Sequence, residues 1–239
     1  MPKRIVITGA SSEIGQSICK RVIKKGDEAI LQCFRNKERC IHLRDVFGDS
    51  CKIVSVDFND ANELDNFCKT LNDVDILINV AAVTLTDLLV NLTDDSLNRM
   101  INVNIIATVK LCKAVIPSMV AKRSGCIVNL SSIAAQRGSQ GQNVYAGTKG
   151  FIESFTRSLT AEYGQKGVRV NCVAPGPIEA GSLKELLSYA RDEVVHSTVS
   201  KKLGKPEDVA SAIAFLCSEE ASFINGRCIS VDGGFCRGV

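Results

Sequence analysis

Short apolar runs alternate along this chain with longer segments of helical pattern, and this alternation restricts the fold more than any other feature. Seven runs have the length and composition of strands: Arg4–Thr8, Ala29–Cys33, Lys52–Val56, Asp75–Asn79, Cys126–Ser131, Arg169–Val173 and Cys228–Val231. Six segments between them have helical length: Glu13–Lys25, Lys37–Phe47, Ala61–Leu71, Asp94–Ala121, Asn143–Gln165 and Pro206–Cys217. Several runs are almost entirely apolar, as expected of strands covered on both faces. The pattern predicts an α/β fold with one doubly wound, Rossmann-type parallel sheet and helices on both faces.

The length and composition are those of a single globular domain over residues 1–239. Hydrophobic residues make up 45% of the chain and charged residues 23%, a balance that excludes intrinsic disorder. The net charge of +3 is spread along the sequence, so we expect no nucleic-acid partner. No apolar run suggests a membrane span and the N-terminus has no signal-peptide pattern, so we expect a cytoplasmic protein. The weakly patterned stretch 176–204 is expected to form a substrate-side loop.

The eleven cysteines lack the spacing of a disulfide framework or of a metal site. No pair is spaced C-x-x-C, and His42 and His196 are the only histidines, so no metal site is expected. Several cysteines occupy apolar periodic positions, where a thiol behaves as a small hydrophobic group. An odd number of cysteines without a framework favours a reducing compartment.

A turn with two glycines follows the first predicted strand, where residues 8–15 read Thr-Gly-Ala-Ser-Ser-Glu-Ile-Gly. Such a turn lets backbone N–H groups and a helix N-terminus face a phosphate, and glycine permits the close approach of a pyrophosphate. A plain strand-to-helix turn is the alternative interpretation. The position of the turn at the first strand–helix connection favours a dinucleotide site.

Tyr145 and Lys149 are four residues apart in a predicted helix and therefore share one of its faces. A nearby ammonium favours the phenolate, so the pair predicts a tyrosine of lowered pKa that can act as an acid or a base. An ordinary pair on a surface helix is the alternative. Ser132 lies at the carboxyl end of a predicted strand, where open α/β sheets bind ligands and where a hydroxyl can polarise a carbonyl.

The order and spacing of these residues resemble the short-chain dehydrogenase/reductase family over essentially the whole chain. Four motifs carry the resemblance: residues 8–15 resemble T-G-x-x-x-G-x-G, residues 79–82 resemble N-N-A-G, residues 171–178 resemble N-x-V-x-P-G-x-I, and residues 203–210 with 231–234 resemble the C-terminal pattern. Asn104, Ser132, Tyr145 and Lys149 fall where the family carries its catalytic tetrad. The resemblance implies an NAD(P)-dependent oxidoreductase that acts on carbonyl or CH–OH groups.

The resemblance also implies a role for each of these residues. Tyr145 is the general acid that protonates the carbonyl oxygen, Lys149 lowers its pKa and holds the nicotinamide ribose, and Ser132 hydrogen-bonds the substrate oxygen. Asn104 holds a water that links Lys149 to solvent, and as a buried amide it requires a hydrogen-bond partner. The residues implied to contact the cofactor are Gly9, Ser11, Ser12, Ile14, Gly15, Arg35, Asp57, Phe58, Asn79, Ala81, Tyr145, Lys149, Pro175, Gly176 and Ile178.

Three residues depart from the family pattern. Glu13 replaces the middle glycine of the turn, Ala82 replaces the glycine of N-N-A-G, and Ala180 stands where many relatives have a threonine. If Glu13 turns outward, it only adds an acid to the positive end of a helix, and if it turns inward, it repels the cofactor. None of these changes removes a catalytic group.

The residues after the second predicted strand indicate the cofactor. NAD-preferring members carry an acid there to bind the ribose diol, whereas this chain has Arg35 and no acid in the run 32–36. Arg35 is expected to pair with a 2′-phosphate, with help from Ser11 and Ser12, which favours NADPH over NADH. Asp57 is expected to bind the adenine, and its alternative is a strand-end cap.

Within the family, the closest likeness is to the 3-oxoacyl-(acyl-carrier-protein), or β-ketoacyl, reductases of fatty acid biosynthesis. Residues 81–97 align with their substrate-side loop without a gap, although Leu85 replaces an arginine. Arg123 and Lys166 fall where those reductases have basic groups that contact the carrier protein, so they are expected near the active-site mouth; ordinary helix-end cations are the alternative. An NADPH-dependent reductase of 3-oxoacyl thioesters is therefore expected, with an NAD(H)-linked alcohol or sugar dehydrogenase or a silent dinucleotide-binding subunit as alternatives.

The predicted helix Asn143–Gln165 has two stripes that suggest an assembly. Small residues form one stripe, and Phe151, Phe155 and Leu159 form the other. A second apolar stripe on one helix needs its own cover, from the sheet or from a partner subunit. Because relatives pair this helix across a two-fold axis, the resemblance implies a homotetramer.

Overall fold

A single sheet of seven parallel strands forms the centre of the computed structural model, which describes residues 2–181 and 183–235. In chain order the strands are β1 (Arg4–Ile7), β2 (Glu28–Cys33), β3 (Cys51–Ser55), β4 (Ile76–Asn79), β5 (Gly125–Leu130), β6 (Val168–Pro175) and β7 (Cys228–Val231). Across the sheet their order is β3-β2-β1-β4-β5-β6-β7, and every neighbouring pair is parallel. The predicted fold class is confirmed, and each predicted strand lies within two residues of its observed bounds.

Helices cover both faces of this sheet. In chain order they are α1 (Glu13–Val22), α2 (Glu38–Phe47), α3 (Ala61–Lys69), α4 (Asp94–Ile101), α5 (Ala107–Lys122), α6 (Asn143–Tyr163), α7 (Leu183–His196) and α8 (Pro206–Cys217). One turn of π-helix, Asn102–Ile106, joins α4 to α5, so the predicted helix Asp94–Ala121 is continuous but not regular. The other five predicted helices are present, with C-terminal ends up to three residues earlier than expected.

The apolar strands separate two cores. In β1, Ile5 and Ile7 face the core under α1, α2 and α8, while Val6 faces the core under α3, α5 and α6. Because side chains alternate across a strand, only a strand that is buried on both sides can be apolar at every position. The described cysteines contribute to these cores: ten have free thiols and eight of those are buried, whereas Cys236 lies outside the described residues.

The stretch 176–204 is not only a loop, which corrects the sequence-based expectation. It contains α7, a helix with a break at Ala190, where φ is −127° and ψ is 26°. Leu187 is the residue of α7 that the core buries, and Arg191 pairs with Glu179 at 2.7 Å. An amphipathic helix that buries so little has a weak periodic signal, which explains why the pattern did not reveal it.

The helical segment Asp94–Lys122 is long and apolar enough to cross a membrane by length and composition alone. The expectation that no segment reaches that length is therefore wrong by this criterion. Half of its most apolar window is buried inside the protein, and core helices of soluble proteins pass the same test. Its apolar residues include Leu111, Val115 and Met119, which pack in the core under α5.

The parallel arrangement brings the carboxyl ends of all seven strands to one edge of the sheet. Between β1 and β4 the strand order reverses direction along the chain, since β2 and β3 lie to one side of β1 and the later strands to the other. Open α/β sheets bind ligands at the carboxyl edge beside such a reversal. The loops that follow β1, β4, β5 and β6 therefore surround the candidate site.

Candidate active site

The turn after β1 has the geometry of a phosphate-binding loop. Gly9 has a φ of +64°, and a Cβ at that position would lie 2.8 Å from the backbone nitrogen of Ala81. A Cβ on Gly15 would lie 2.3 Å from the carbonyl oxygen of Gly9, so both positions require glycine for the turn to close. Ser12 caps α1 by accepting the N–H of Gly15 at 3.0 Å. The first N–H groups of α1 therefore point out of the helix beside this turn, where an anion is favoured.

A cavity of about 250 Å³ opens beside this turn. Seven of the residues expected to contact the cofactor line it: Gly9, Ser11, Ser12, Arg35, Asp57, Phe58 and Ala81. Ile14, Gly15, Asn79, Tyr145, Lys149, Pro175, Gly176 and Ile178 are not part of its wall. We call this cavity the adenosine cavity, because it is the candidate for the adenosine end of a dinucleotide site, and the remaining residues are expected further along the carboxyl edge of the sheet.

Two arginines line this cavity, and the sequence indicated only one of them. The guanidinium of the exposed Arg35 lies over the ring of Phe34, 5.0 Å from its centroid. Arg99 reaches the cavity from the last turn of α4, one turn before Val103, which also lines it. Neither arginine forms an ion pair with any residue that the structure describes. The cavity wall therefore carries two cations without an acid partner, which suits an anionic ligand.

Asp57 lies just after β3, and Asn79 is the last residue of β4. Asp57 lines the cavity and also accepts the N–H of Asn59 at 2.9 Å, so the binding and capping interpretations of this residue are compatible. Asn79 is buried, and its Nδ2 donates to Oδ1 of Asn129 at 2.9 Å. The Oδ1 of Asn79 has no partner among the described residues. A buried acceptor without a donor is costly and marks a place where a bound ligand or water can donate.

The end of β6 forms the opposite wall of the candidate site. The N–H of Gly176 donates to the carbonyl of Val231 at 2.9 Å, which fixes this strand end against β7. Ile178 is 5% exposed and pairs with Gly204 in an isolated parallel bridge. Pro175, Gly176 and Ile178 are thus held rigidly at the carboxyl edge, where the resemblance places the nicotinamide.

Tyr145 and Ser132 converge at the same edge. Ser132 follows β5 and Tyr145 lies in the first turn of α6, and the Ser132 hydroxyl is near enough to that of Tyr145 to lower its pKa. The hydroxyl of Tyr145 also bonds to Thr84, a residue that the sequence did not indicate. Desolvation raises the pKa of Tyr145 above its ordinary value, and the bonds to Thr84 and Ser132 only partly oppose this. The expected lowering of this pKa by Lys149 is therefore not found in the protein chain itself, where burial is the largest influence on Tyr145.

Lys149 is only 3% exposed and has no carboxylate partner among the residues that the structure describes. Its Nζ donates to the carbonyl of Leu130 at 2.7 Å, at the end of β5. The ammonium lies 5.7 Å from the centroid of the Tyr145 ring. Burial lowers the pKa of Lys149 to about 8, a change that the nearby Cys172 thiol opposes. Lys149 is thus a buried cation beside the tyrosine, with one backbone acceptor.

Asn104 occupies the π-helical turn between α4 and α5. It is 2% exposed, its Oδ1 accepts the N–H of Val83 at 2.8 Å, and its Nδ2 donates to the carbonyl of Val83 at 2.9 Å and to Thr148 Oγ1 at 3.0 Å. The partner required by this buried amide is therefore present. Thr148 directly precedes Lys149, so Asn104 ties the loop after β4 to the catalytic face of α6. The water link to Lys149 stays a prediction.

Glu13 turns away from the phosphate-binding loop. Its Oε2 accepts the N–H of Gly181 at 2.9 Å, and its Oε1 forms an ion pair with Lys184. Both bonds lower the pKa of Glu13 below its ordinary value. The outward alternative is therefore the one adopted, and the carboxylate reaches the segment that follows β6. Ala82 lines the adenosine cavity, and Ala180 packs against the core under α1.

Arg123 and Lys166 do not lie at the mouth of the site, which corrects the sequence-based expectation. Arg123 directly follows α5 and donates to the carbonyl of Gln165 at 3.1 Å, and Lys166 ends the short helix before β6. Helices that connect parallel strands run opposite to them, so these residues lie at the amino edge of the sheet. Ser132 is at the carboxyl end of β5, roughly 20 Å away for a strand of this length.

The arrangement fits a nicotinamide dinucleotide. The adenosine cavity with Arg35 and Arg99, the N-terminus of α1, and the buried Lys149 form a series of groups along one edge of the sheet. The first would hold the adenosine end, the second the pyrophosphate and the third the nicotinamide ribose. Tyr145 and Ser132 lie at the end of this series, where a substrate oxygen could accept two hydroxyl hydrogen bonds.

Comparisons with known proteins agree with this geometry. Residues 9–236 match a family model described as enoyl-(acyl-carrier-protein) reductase. The chain is 34% identical over 236 residues to the 3-oxoacyl-(acyl-carrier-protein) reductase FabG of Vibrio harveyi and 35% identical over 239 residues to that of Chlamydia trachomatis serovar D. Each alignment covers 97% of this chain and 96% of the relative.

Solved structures give the same result. A short-chain dehydrogenase/reductase family protein superimposes with a TM-score of 0.87 at 30% identity, over 98% of this chain and 97% of that one. The structure of ElxO with NADP bound has a TM-score of 0.87 at 29% identity, over 99% of this chain and 100% of that one. The agreement extends over nearly the whole chain, so the chain belongs to the short-chain dehydrogenase/reductase family of oxidoreductases.

Proposed function

We propose that this protein is an NADPH-dependent reductase that converts a 3-oxoacyl thioester to the 3-hydroxyacyl form. The observation that carries the proposal is the convergence of Tyr145 and Ser132 at the carboxyl edge of the sheet, with the buried ammonium of Lys149 5.7 Å from the centroid of the tyrosine ring. Two hydroxyls at one point suit a single carbonyl oxygen, which needs a hydrogen bond in the ground state and a proton as it becomes an alkoxide.

The residues act in sequence on that oxygen. Ser132 orients the carbonyl by donating a hydrogen bond, and Tyr145, whose raised pKa keeps it protonated, donates its proton to the developing alkoxide. The ammonium of Lys149 stabilises the phenolate that remains. The reduced nicotinamide, when bound, supplies the hydride. Asn104 holds the loop after β4 and Thr148 in place, so that Thr84 and Lys149 keep their positions around Tyr145.

The substrate class is supported by the relatives. The two FabG proteins described above are named as 3-oxoacyl-(acyl-carrier-protein) reductases, and both align over nearly the whole chain. The substrate is accordingly an acyl thioester of an acyl carrier protein or of coenzyme A, and the protein acts in the cytoplasm. Because Arg123 and Lys166 lie at the far edge of the sheet, docking of a carrier protein to the same protomer does not run through them.

Oxidation of NADPH and NADH with a panel of substrates tests this function. The panel contains a short 3-oxoacyl thioester, a 2-enoyl thioester, a 3-ketosugar and a quinone. We expect the highest kcat/KM with NADPH and the 3-oxoacyl thioester. Preferred turnover of the 3-ketosugar with NADH would support the NAD(H)-linked alcohol or sugar dehydrogenase alternative, and cofactor binding without any turnover would support a silent subunit. Preference for the enoyl thioester would match the description of the family model and overturn the proposed substrate.

Arg35→Ala tests the cofactor preference. If Arg35 makes a charged hydrogen bond to the 2′-phosphate, its loss should weaken NADPH binding by ~1.5–3 kcal/mol. The affinity for NADH, which lacks this phosphate, should hardly change. Arg44→Ala, another exposed arginine on the neighbouring helix α2, is the matched control. Equal losses for both cofactors, or a wild-type preference for NADH, would show that Arg35 is an ordinary surface cation.

We also propose a homotetramer that pairs α6 with α6 and α5 with α5. Phe151 on α6 is 36% exposed and stacks on Phe155 with ring centroids 5.4 Å apart, and Ile106 before α5 is 41% exposed. An exposed aromatic stripe is stabilised when a partner covers it. Light scattering at working concentration should therefore give four times the mass of one chain. Phe151→Glu should shift the mass to smaller species, whereas a monomeric wild type would contradict the assembly.

A further inference from the structure

Glu13 joins two parts of the chain that are far apart in sequence. Its carboxylate belongs to the first turn of α1, while Gly181 and Lys184, which it binds, follow β6 and begin α7. The two bonds span 168 and 171 residues. A glycine at this position, as the family turn has, could make neither bond. The connection is therefore a specific feature of this chain.

The location of this connection matters because α1 begins at the phosphate-binding turn. Gly9, Ser11 and Ser12 line the adenosine cavity, and Glu13 is the next residue along the chain. The start of the segment after β6 is fixed independently, since Gly176 bonds to Val231 and Ile178 bridges to Gly204. Gly181 and Lys184 lie beyond those anchors, and Glu13 is what holds them against the start of α1.

The charges at this point are balanced. Although Glu13 turns away from the turn, its charge still acts on an anionic dinucleotide at a distance, and Lys184 supplies a compensating ammonium at contact distance. Glu13 is thus held as a carboxylate within an ion pair whose net charge is zero. Both side chains are partly exposed, 34% for Glu13 and 54% for Lys184, so water weakens the pair without abolishing it.

We propose that Glu13 is a positioning residue that ties Gly181 and Lys184 to the pyrophosphate-binding end of α1 and so slows the release of the bound dinucleotide. The proposal rests on the proposed function, because it requires a dinucleotide at this turn. Dissociation then requires the segment after β6 to move, which breaks the bonds to Glu13 first. Lys184 has a second effect, because it neutralises the charge of Glu13 and so reduces the repulsion between Glu13 and the phosphates of the dinucleotide.

A double-mutant cycle with Glu13→Gly and Lys184→Met tests this coupling. The dissociation rate and dissociation constant of NADPH are measured on the full-length protein by the change in nicotinamide fluorescence. Glu13→Gly should release NADPH about threefold faster, as expected for a partly exposed pair. Lys184→Met should weaken binding more, about tenfold, because it frees Glu13 and leaves the charge of its carboxylate uncompensated near an anionic dinucleotide. The double variant should behave as Glu13→Gly does, because Lys184 acts through Glu13.

The controls separate this effect from a general loss of structure. Glu207→Gln removes another carboxylate that contacts α1, through Ser17 at 2.9 Å, at a distance from the turn, and should leave NADPH release unchanged. Additive effects of the two substitutions, or a Lys184→Met variant that binds NADPH as well as wild type, would overturn the proposal. If the wild-type protein binds neither NADPH nor NADH, the proposed function itself fails, which is a different result from normal binding with no effect of the variants.

Discussion

Tyr145→Phe is expected to lower kcat/KM for carbonyl reduction by ~10²-fold or more, because the variant has no proton to give to the developing alkoxide. The fold should persist, since the ring remains and only the bonds from its hydroxyl to Ser132 and Thr84 are lost. Cofactor binding should also persist, because Lys149 keeps its bond to Leu130. Steady-state kinetics and NADPH titration of the same preparation measure both quantities.

The chain offers a matched control for this substitution. Tyr163 lies at the other end of the same helix, α6, where its ring contacts Lys166 far from Ser132. Tyr163→Phe should leave kcat/KM within about twofold of wild type, as is usual for surface substitutions. Near-normal activity of Tyr145→Phe would remove the proposed mechanism. A loss of activity in both variants would instead indicate that changes anywhere on α6 disturb the enzyme.

The sequence was sufficient for the sheet but not for every helix. In a parallel sheet that is covered on both faces, strands such as β1 and β4 are apolar at every position but one, and this pattern is visible in the sequence without knowledge of the neighbouring strands. The helix α7 gave no such signal, because it buries little beyond Leu187 and breaks at Ala190. Its order depends on contacts with distant residues, including those of Glu13, which no local pattern contains.

The residues of the candidate site likewise divide into those that the sequence indicates and those that only the structure brings to the site. Motifs that are contiguous in sequence, such as the turn at Gly9 and the pair of Tyr145 and Lys149, were recognised because one helix or one turn holds them. Thr84 and Arg99 reach the site through the packing of the loop after β4 and of α4, so their approach appears only in three dimensions.

Two expectations failed for physical reasons. Arg123 directly follows α5, and a helix that returns the chain from the carboxyl edge of the sheet must end at its amino edge. The resemblance of sequence motifs does not give the edge at which a residue lies. The pKa of Tyr145 depends on how deeply the hydroxyl is buried, a quantity that residue spacing does not contain.

Lys149→Met is expected to be as harmful to activity as the change at Tyr145, by ~10²-fold or more, because the phenolate loses its cation and the cofactor ribose loses its donor. Lys110→Met, at a surface lysine that pairs with Asp65 at 2.7 Å, is the control and should retain activity.

In the wild-type protein, the fall of kcat/KM at alkaline pH (the alkaline limb of the pH profile) should reflect the deprotonation of Lys149. Because burial lowers the pKa of Lys149 to about 8, kcat/KM for reduction should fall as pH rises through that value.

Lys149→Arg distinguishes the source of that limb. An arginine remains charged over the whole range, so the variant should lose the limb near pH 8 even if its maximal activity is lower. Tyr145 does not account for the limb, because its pKa is raised and it stays protonated there. Retention of the same limb in Lys149→Arg would assign it to another group.

Stability provides a second, independent test of this lysine. Between about 8, the pKa in the folded protein, and the ordinary value of 10.5, the unfolded chain binds more protons than the folded one, so wild-type stability should rise with pH across that window. Below it, the buried ammonium destabilises the fold, and Lys149→Met should raise the free energy of unfolding by about 1–2 kcal/mol at pH 7, after the loss of the bond to Leu130. Denaturant unfolding of both proteins at pH 7 and at about pH 10 measures the difference, which should shrink at the higher pH. A variant that is less stable than wild type at pH 7 would mean that the fold stabilises Lys149 as a cation without the cofactor. The buried ammonium would then not lower the free energy of unfolding.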